Sequence, residues 1–503
     1  MIEEYLPSQD NENSRTFITV EPDLAAEFPI YIYWPQDKSR LLYSYSITEL
    51  LNDCRVPKPL QVCNKGVSFL LQSGLVPPPN TVYENIYILG VGDKAKIEIK
   101  NDRVEVDFFH NFPFFNAKRL TPEEMCPNEE LILNMLAEAT ISRCDSSRPS
   151  FLFHSAGKDS NTIALALADA GWQDNVTLVT HKSKGKADES ELSAAIARKL
   201  GFKHQVLNEV DKLGYEHKNE MDLYFRNAPF PCTDNVAVAY PLYACQLPAL
   251  KQSNIIDGGG NDCHMMTPPS VRSKKYWSIT KHSHKANFLR NFVRSESSIL
   301  PLIRTPAEKC GMSGLSFLDS KSILKDAVNV YDFWCNESSI RSNWDLIDFR
   351  TDILTTITAA EVHIRKARNF ADSINSNLIL PFANPNVAKY FALMPESYIF
   401  CRETSKNKLI LREILKKRVG IDSDMIGKME YSYDSKKLVV ENLSFFVEEI
   451  CSCKLWNQKH INYLVARLSA NIENSSKLLQ PSCAVIYRLF TISAWYNRCH
   501  YCN

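Results

Sequence analysis

Residues 151–160 read FLFHSAGKDS, and the fold can be inferred outward from this stretch. Its first four residues have strand character, its glycine marks a turn, and 162–170, rich in Ala and Leu, has helical periodicity. The alternation continues with strand-like runs at 175–181, 204–207 and 255–256 and a helix at 189–200. Alternating strands and helices predict a parallel sheet with helices on its faces.

The first 120 or so residues have a different pattern. Turn residues such as Asn101 and Asp102 separate short apolar runs at 17–20, 30–33, 82–89, 95–99 and 104–109, which predicts an antiparallel β region. Beyond residue 319 most segments have helical periodicity, for example 348–371, 408–419, 438–453 and 484–497. We therefore expect an α/β protein. A smaller, mainly antiparallel β domain (1–120) precedes a domain (121–503) with a five-stranded type of parallel sheet, flanking helices and a helical C-terminal part.

Composition excludes several classes of protein. Lys+Arg and Asp+Glu are 58 each, so the basic excess typical of a protein that grips nucleic acid along its length is absent. No apolar stretch approaches the ~18 residues that a membrane-spanning helix needs. The first residues are acidic and polar, unlike a signal peptide, and the 15 cysteines are scattered. We expect a cytoplasmic protein with reduced thiols, no membrane partner and no nucleic-acid partner.

The turn at 155–160 has the residue types of a phosphate site. It consists of Ser155, Ala156, Gly157, Lys158, Asp159 and Ser160. Small residues let the backbone approach a ligand, and the first N–H groups of the following helix favour an anion. Because Asp159 is itself negative, a polyphosphate beside it needs a cation in between, and Mg²⁺ is suited to that position. An ordinary helix N-cap cluster is the alternative.

A second glycine-containing loop follows the strand-like run at 255–256. It contains Gly258, Gly259 and Gly260 and ends in Asn261 and Asp262. A plain glycine turn is the alternative interpretation.

Together the two loops resemble the SGG-x-DS and G-x-G-x-D loops of the ATP-pyrophosphatase enzymes related to asparagine synthetase and the β-lactam synthetases. Ala156 replaces the usual middle glycine. The resemblance covers about 150–433 and includes the segments 188–191, 200–204, 381–384 and 408–412. It implies ATP as cofactor, with Mg²⁺ held between Asp159 and Asp262. It also implies an acyl-adenylate near the three glycines and adenine against the backbone of Val179, Thr180 and His181.

The resemblance also implies catalytic residues, although the acceptor site departs from the family pattern. Lys428 falls where the family has a lysine that stabilises the charge developing during acyl transfer. The β-lactam-forming enzymes use a tyrosine and a glutamate to deprotonate the amine, and Gly259 replaces that tyrosine here. Glu361 is the candidate general base, with His363 as an alternative base and a solvated helix face as the other interpretation.

Residues 74–106 resemble the end of the family's glutaminase domain. Ile2 stands where that domain has its nucleophilic cysteine, which implies a degenerate domain without glutamine hydrolysis. The nitrogen would then come from ammonia, a second small molecule or the substrate's own amine.

The expected function is that of an ATP-dependent, AMP-forming amide or lactam ligase in specialised-metabolite or peptide biosynthesis. Its partner would be a small-molecule or peptide substrate that supplies a carboxylate and an amine. Two alternatives remain: an enzyme that modifies nucleobases or tRNA, and a non-catalytic relative that binds nucleotide or a partner enzyme. Two weaker motifs are a zinc-like group (Cys451, Cys453, Cys499, His500, Cys502) and a basic, aromatic run at 273–285.

Overall fold

The computed structural model describes residues 2–6, 17–183, 188–269, 274–275, 277, 283–310, 314–422, 433–475 and 477–502. Its strands are β1 (Glu3–Tyr5), β2 (Phe17–Val20), β3 (Ile30–Tyr33), β4 (Leu41–Ser44), β5 (Ile86–Leu89), β6 (Asp93–Lys100), β7 (Arg103–His110), β8 (Ser150–Phe153), β9 (Val176–Lys182), β10 (Lys203–Asn208), β11 (Asn254–Ile256), β12 (Asn377–Ile379), β13 (Phe400–Cys401) and β14 (Lys406–Asn407).

The helices alternate with these strands up to β12 and dominate the C-terminal part. They are α1 (Ile47–Asn52), α2 (Asn64–Ser73), α3 (Glu129–Ile141), α4 (Lys158–Asp169), α5 (Ser190–Leu200), α6 (Tyr215–Asn227), α7 (Ala239–Gln246), α8 (Phe317–Ile323), α9 (Tyr331–Ile340), α10 (Leu346–Asp352), a π-helix (Ile353–Ile364), α11 (Arg365–Ser373), α12 (Pro385–Leu393), α13 (Glu396–Ile399), α14 (Leu409–Val419), α15 (Ser435–Glu441), α16 (Leu443–Ser452), α17 (Gln458–Glu473) and α18 (Leu479–Arg498). Within the described ranges, no helix is long and apolar enough to cross a membrane.

The N-terminal region forms two antiparallel sheets, as the sequence predicts. Their strand orders are β1-β4-β3-β5 and β2-β6-β7. Asn101 and Asp102, at φ 51° and 55°, make the tight turn between β6 and β7. Positive φ at both central residues is the requirement of a type I′ hairpin, and Asn and Asp tolerate it better than most residues.

The strands β3 and β4 are buried on both faces. On one face Ile30 and Ile32 belong to the core shared by the two antiparallel sheets. On the other face Tyr31 and Tyr33 belong to a larger core that includes Phe490 of α18. The sheet that contains β3 and β4 therefore packs against the C-terminal helices.

The predicted parallel sheet is confirmed, with strand order β10-β9-β8-β11-β12. The chain moves outward from β8 to β10 on one side and then crosses to β11 and β12 on the other. The loops after β8 and β11 therefore leave the sheet in opposite directions and open a crevice at its carboxyl edge. These two loops are the glycine-containing loops of the sequence.

The helix predicted at 348–371 differs from a continuous α-helix. It is interrupted by the twelve-residue π-helix Ile353–Ile364. The hydroxyls of Thr355 and Thr356 donate to the carbonyls of Thr351 and Asp352 at 2.6 and 2.7 Å. Hydroxyls that bond these carbonyls compete with the α-helical N–H donors, which favours a wider turn. π-Helical segments are rare in proteins as a whole, and those that occur often lie at functional sites.

An alternating chain of charges links the N-terminal sheet to the start of this π-helix. His110 of β7 lies with Nδ1 2.8 Å from Asp93 Oδ1 and Nε2 2.9 Å from Asp352 Oδ1. Arg341 contacts the other oxygen of Asp352, at 2.5 Å. Burial alone would lower the pKa of His110, but Asp352 and Asp93 outweigh it and raise that pKa to about 10.

We therefore expect His110→Gln to lower the free energy of unfolding by about 3–5 kcal/mol at neutral pH, because Asp352 loses one of two buried cations. Because the pKa of His110 is raised in the folded protein, its ion pairs stabilise the fold fully below about pH 6.5. This contribution is lost as pH rises through about 10. In urea denaturation, the difference in free energy of unfolding between wild type and variant should become smaller as pH rises from about 6.5 to about 10. The exposed His460→Gln is the control. A difference in free energy of unfolding that does not change with pH would contradict the ion-pair explanation.

Candidate functional site

The first loop of the site joins β8 to α4. Gly157 is the N-cap residue of α4 and provides no side-chain hydrogen bond to the first turn. The N–H groups at the start of this twelve-residue helix are therefore not capped by a side chain, and the helix dipole favours an anion there.

Side chains from within and beyond the loop hold its shape. Ser155 Oγ accepts a hydrogen bond from Gly157 N at 3.0 Å and lies 3.3 Å from Ser160 Oγ. Asn161 Nδ2 donates to the carbonyls of Ser155 and Gly157 at 3.0 and 2.6 Å. Glu189, just before α5, accepts from Ala156 N at 2.7 Å, and burial raises its pKa. The loop is thus ordered by hydrogen bonds from its own side chains and from Asn161 and Glu189.

The second loop packs directly on the first. A Cβ on Gly258 would lie 3.1 Å from the Cβ of Asp159, a tight contact that a larger residue would worsen. Asp257 Oδ1 accepts a hydrogen bond from Gly259 N at 2.7 Å, and burial raises the pKa of Asp257. Gly260 has φ +93°, and a Cβ there would approach the Cβ of Ala383 to 2.8 Å.

Gly260→Ala should therefore lower the free energy of unfolding by about 2–4 kcal/mol, from backbone strain plus the clash with Ala383. Gly171 provides a matched control, because its φ is +71° and a Cβ there would meet nothing within 4 Å. Gly171→Ala should cost only the backbone strain, about 1–2 kcal/mol. If urea denaturation showed the same loss in free energy of unfolding for Gly260→Ala and Gly171→Ala, the contact with Ala383 would not be tight.

The carboxylates of Asp159 and Asp262 meet at a single lysine. Lys408 Nζ lies 2.7 Å from Asp159 Oδ2, 2.9 Å from Asp262 Oδ1 and 3.3 Å from Asn261 Oδ1. Burial alone would lower the pKa of Lys408, but the two carboxylates raise it well above its usual range. Partial burial opposes ionisation of Asp262, and Lys408 outweighs that effect, so the pKa of Asp262 is lowered. Lys408 and Asp262 are therefore charged at neutral pH.

Sequence reasoning did not assign Lys408 to the site. Lys408 is the first residue of the segment 408–412, and the resemblance of that segment to the family assigns no role to the lysine. Its backbone is left-handed (φ 58°) and places the side chain between the two loops just before α14 begins. A positive φ on a non-glycine residue is unusual and is a signal for function only once a structure is known.

These residues fit a Mg²⁺ ion that is shared with a phosphate ligand. Asp159 Oδ1 is buried and has no hydrogen-bond partner in the part of the chain that the structure describes, so one carboxylate oxygen remains for a cation. In the described part of the chain, no cluster of three or more His, Cys, Asp or Glu side chains is arranged to hold a metal by itself. Mg²⁺ typically takes one or two carboxylates and completes its shell with water and substrate phosphates. By the same finding, the cysteines and His500 of the zinc-like group are not arranged as a set of metal ligands.

The two loops border a cleft of about 710 Å³. The predicted residues that line it are Ser155, Gly157, Asp159, Ser160, Val179, Thr180, His181, Gly258, Gly259 and Asp262. Ala156, Lys158 and Gly260 belong to the same loops but do not line the cleft.

The predicted nucleobase end of the cleft is apolar and aromatic. Val179 is fully buried in β9. The rings of Phe153 and Tyr240, both lining the cleft, have centroids 5.5 Å apart. Such a wall offers apolar and aromatic surface for a planar base.

Glu361 lies outside this cleft. It belongs to the π-helix and lines a neighbouring cavity of about 80 Å³ that shares Gly259, Asp262 and His363 with the cleft. Both of its carboxylate oxygens lie 2.8 Å from Arg365 Nη2. His363, the alternative base, does line the cleft. Lys428 and most of the basic run at 273–285 lie outside the described residues.

Comparison with known proteins adds nothing to this geometry, because no family model and no curated protein matches the chain.

Proposed function

We propose that the chain is an ATP-dependent ligase that splits ATP into AMP and pyrophosphate and joins a substrate carboxylate to an amine. One observation carries the proposal. Two carboxylates about 100 residues apart in sequence meet on Lys408, beside the uncapped N-terminus of α4, in a cleft at the sheet's carboxyl edge. Open parallel sheets bind ligands at this position.

In this proposal each part of the site has a separate task. The loop 155–160 and the start of α4 bind phosphates, and Val179 to His181 lie along the base. Asp159 and Asp262 hold Mg²⁺, which would neutralise phosphate charge and favour departure of pyrophosphate. Lys408 holds both carboxylates close together, and it is near enough to contact phosphate oxygens if it turns from them. Acyl transfer by Lys428 and proton removal by Glu361 or His363 remain predictions.

The test uses pooled metabolites separated into an acidic and a basic fraction. With ATP and Mg²⁺, AMP release should require the acidic fraction and rise when the basic fraction supplies an amine. AMP release that needs no acid, or its absence with the complete pool, would reject the ligase. Nucleotide binding without turnover would then favour the non-catalytic alternative.

A further inference from the structure

The cysteines of the zinc-like group separate into two pairs in the structure. Cys451 and Cys453 lie at the end of α16, whereas Cys499 follows α18 as its C-cap residue. Cys499 and Cys502 form a tight turn in which Cys502 N donates to Cys499 O at 3.1 Å. Such a β-turn brings the Cα atoms of its first and last residues within about 7 Å of each other. This separation is compatible with a disulfide, which joins Cα atoms about 4.4–6.8 Å apart.

The two thiols of this turn are already in contact, because the side chains of Cys499 and Cys502 are hydrogen-bonded to each other. This bond is the main cause that lowers the pKa of Cys499 below its usual value and raises the pKa of Cys502. One proton therefore leaves the pair more readily than it leaves an isolated thiol, and the two sulfurs share the other proton. The thiolate is the form of cysteine that reacts.

Contacts with other parts of the chain hold the turn in this geometry. Tyr83 Oη, from the N-terminal region, lies 3.7 Å from Cys499 Sγ. His500 Nδ1 donates to the carbonyl of Arg226, at the end of α6, at 2.7 Å. Tyr501, between the two cysteines, is buried. The backbone of the turn is therefore fixed before any reaction, and joining the two sulfurs requires little rearrangement of it.

The two sulfurs differ in their access to solvent. Cys499 is fully buried, whereas Cys502 is partly exposed. A small molecule in solution therefore reaches Cys502 first, and Cys499 lies behind it in a position to displace whatever becomes attached. Redox-active cysteines are typically accessible and often lie next to a second cysteine that resolves the first product.

We propose that Cys499 and Cys502 are a redox-active dithiol, which low-molecular-weight disulfides oxidise reversibly to an internal disulfide. In the first step the Cys502 thiolate attacks one sulfur of the oxidant, the sulfur–sulfur bond of the oxidant breaks, and the leaving thiolate takes up the proton that Cys502 lost. In the second step Cys499 gives up its proton and its sulfur attacks that of Cys502, which releases the other half of the oxidant as a second thiol. Two electrons pass from the protein to the oxidant. This inference does not depend on the proposed ligase function.

The test uses oxidised glutathione as the probe. The reduced, full-length protein is incubated at increasing ratios of oxidised to reduced glutathione, alkylated with iodoacetamide and digested with trypsin without reductant. Trypsin cleaves after Arg498, so the peptide that begins at Cys499 contains Cys499 and Cys502 and no other cysteine of the sequence. Mass spectrometry should find this peptide unalkylated and lighter by two hydrogens. Half-conversion should need a glutathione ratio at least about tenfold lower than any disulfide between Cys451 and Cys453, because the thiols of the turn are already in contact.

The pair Cys451 and Cys453 is the matched control, since it also combines a partly exposed and a buried cysteine. Return to excess reduced glutathione should restore both thiols of the turn. In Cys499→Ser the glutathionyl group should remain on Cys502, because no second thiol displaces it. In Cys502→Ser the buried Cys499 should stay unmodified. The wild-type measurement does not depend on whether either variant folds.

Several results in wild type would overturn the proposal: no internal disulfide at any glutathione ratio, a disulfide that forms no more readily than one between Cys451 and Cys453, a disulfide that reduced glutathione does not open, or a glutathionyl group that persists on Cys502. A glutathionyl group on Cys499 of folded Cys502→Ser would overturn the order of attack, because the buried sulfur would then react first.

Discussion

Asp262→Asn should reduce the rate of AMP formation by about 10²–10³-fold, the loss typical when one charge-stabilising group is removed from an active site. The amide has nearly the same shape as the carboxylate but no charge, so the proposed Mg²⁺ site would lose one of its two acidic ligands. The rate is measured at saturating ATP with the pooled metabolites that support wild-type turnover.

The control for this variant is Asp174→Asn, an exposed aspartate between α4 and β9. It should keep wild-type activity. Thermal unfolding of both variants separates loss of chemistry from loss of fold. An Asp262→Asn variant that is folded and fully active would rule out Asp262 as a metal ligand.

Lys408→Met should destabilise the protein by about 3 kcal/mol in the absence of Mg²⁺, because two facing carboxylates lose their shared cation. This value is at the lower end of the free-energy losses typical when a buried ion pair is broken, since the Asp262 side chain is 45 % exposed and water can solvate it. Mg²⁺ should restore part of this stability in Lys408→Met, because the ion can take the position of the ammonium group. Activity should also fall.

Urea denaturation with and without Mg²⁺ measures this effect. Lys389→Met, at an exposed position of α12, is the control and should show neither the loss nor the Mg²⁺ response. If Lys408→Met were destabilised but Mg²⁺ restored nothing, the two carboxylates would not form a cation site.

Much of the sheet could be predicted because its signals are local. Strand-like runs at 175–181 and 204–207 fall on β9 and β10, and the turn at 101–102 falls on a hairpin. The carboxyl ends of parallel strands lie at one edge, so the loops 155–160 and 257–262 could be expected to meet. β12 was not predicted, because three residues are too few to show a period and, unlike the equally short β11, it is not followed by a glycine-containing loop.

Other parts of the site depend on tertiary contacts that no local pattern records. Lys408 is 249 residues from Asp159 and reaches it through a left-handed backbone. The π-helix arises where threonine hydroxyls compete for carbonyls inside a sequence of ordinary helical periodicity.

The central claim is that this site cleaves ATP between its α- and β-phosphates. Phosphorus NMR of wild type incubated with ATP, Mg²⁺ and the complete metabolite pool tests it most directly. The account predicts AMP and pyrophosphate in equal amounts, and neither product above background for Asp262→Asn. Formation of ADP and inorganic phosphate, with the signal equally strong in Asp262→Asn, would contradict it.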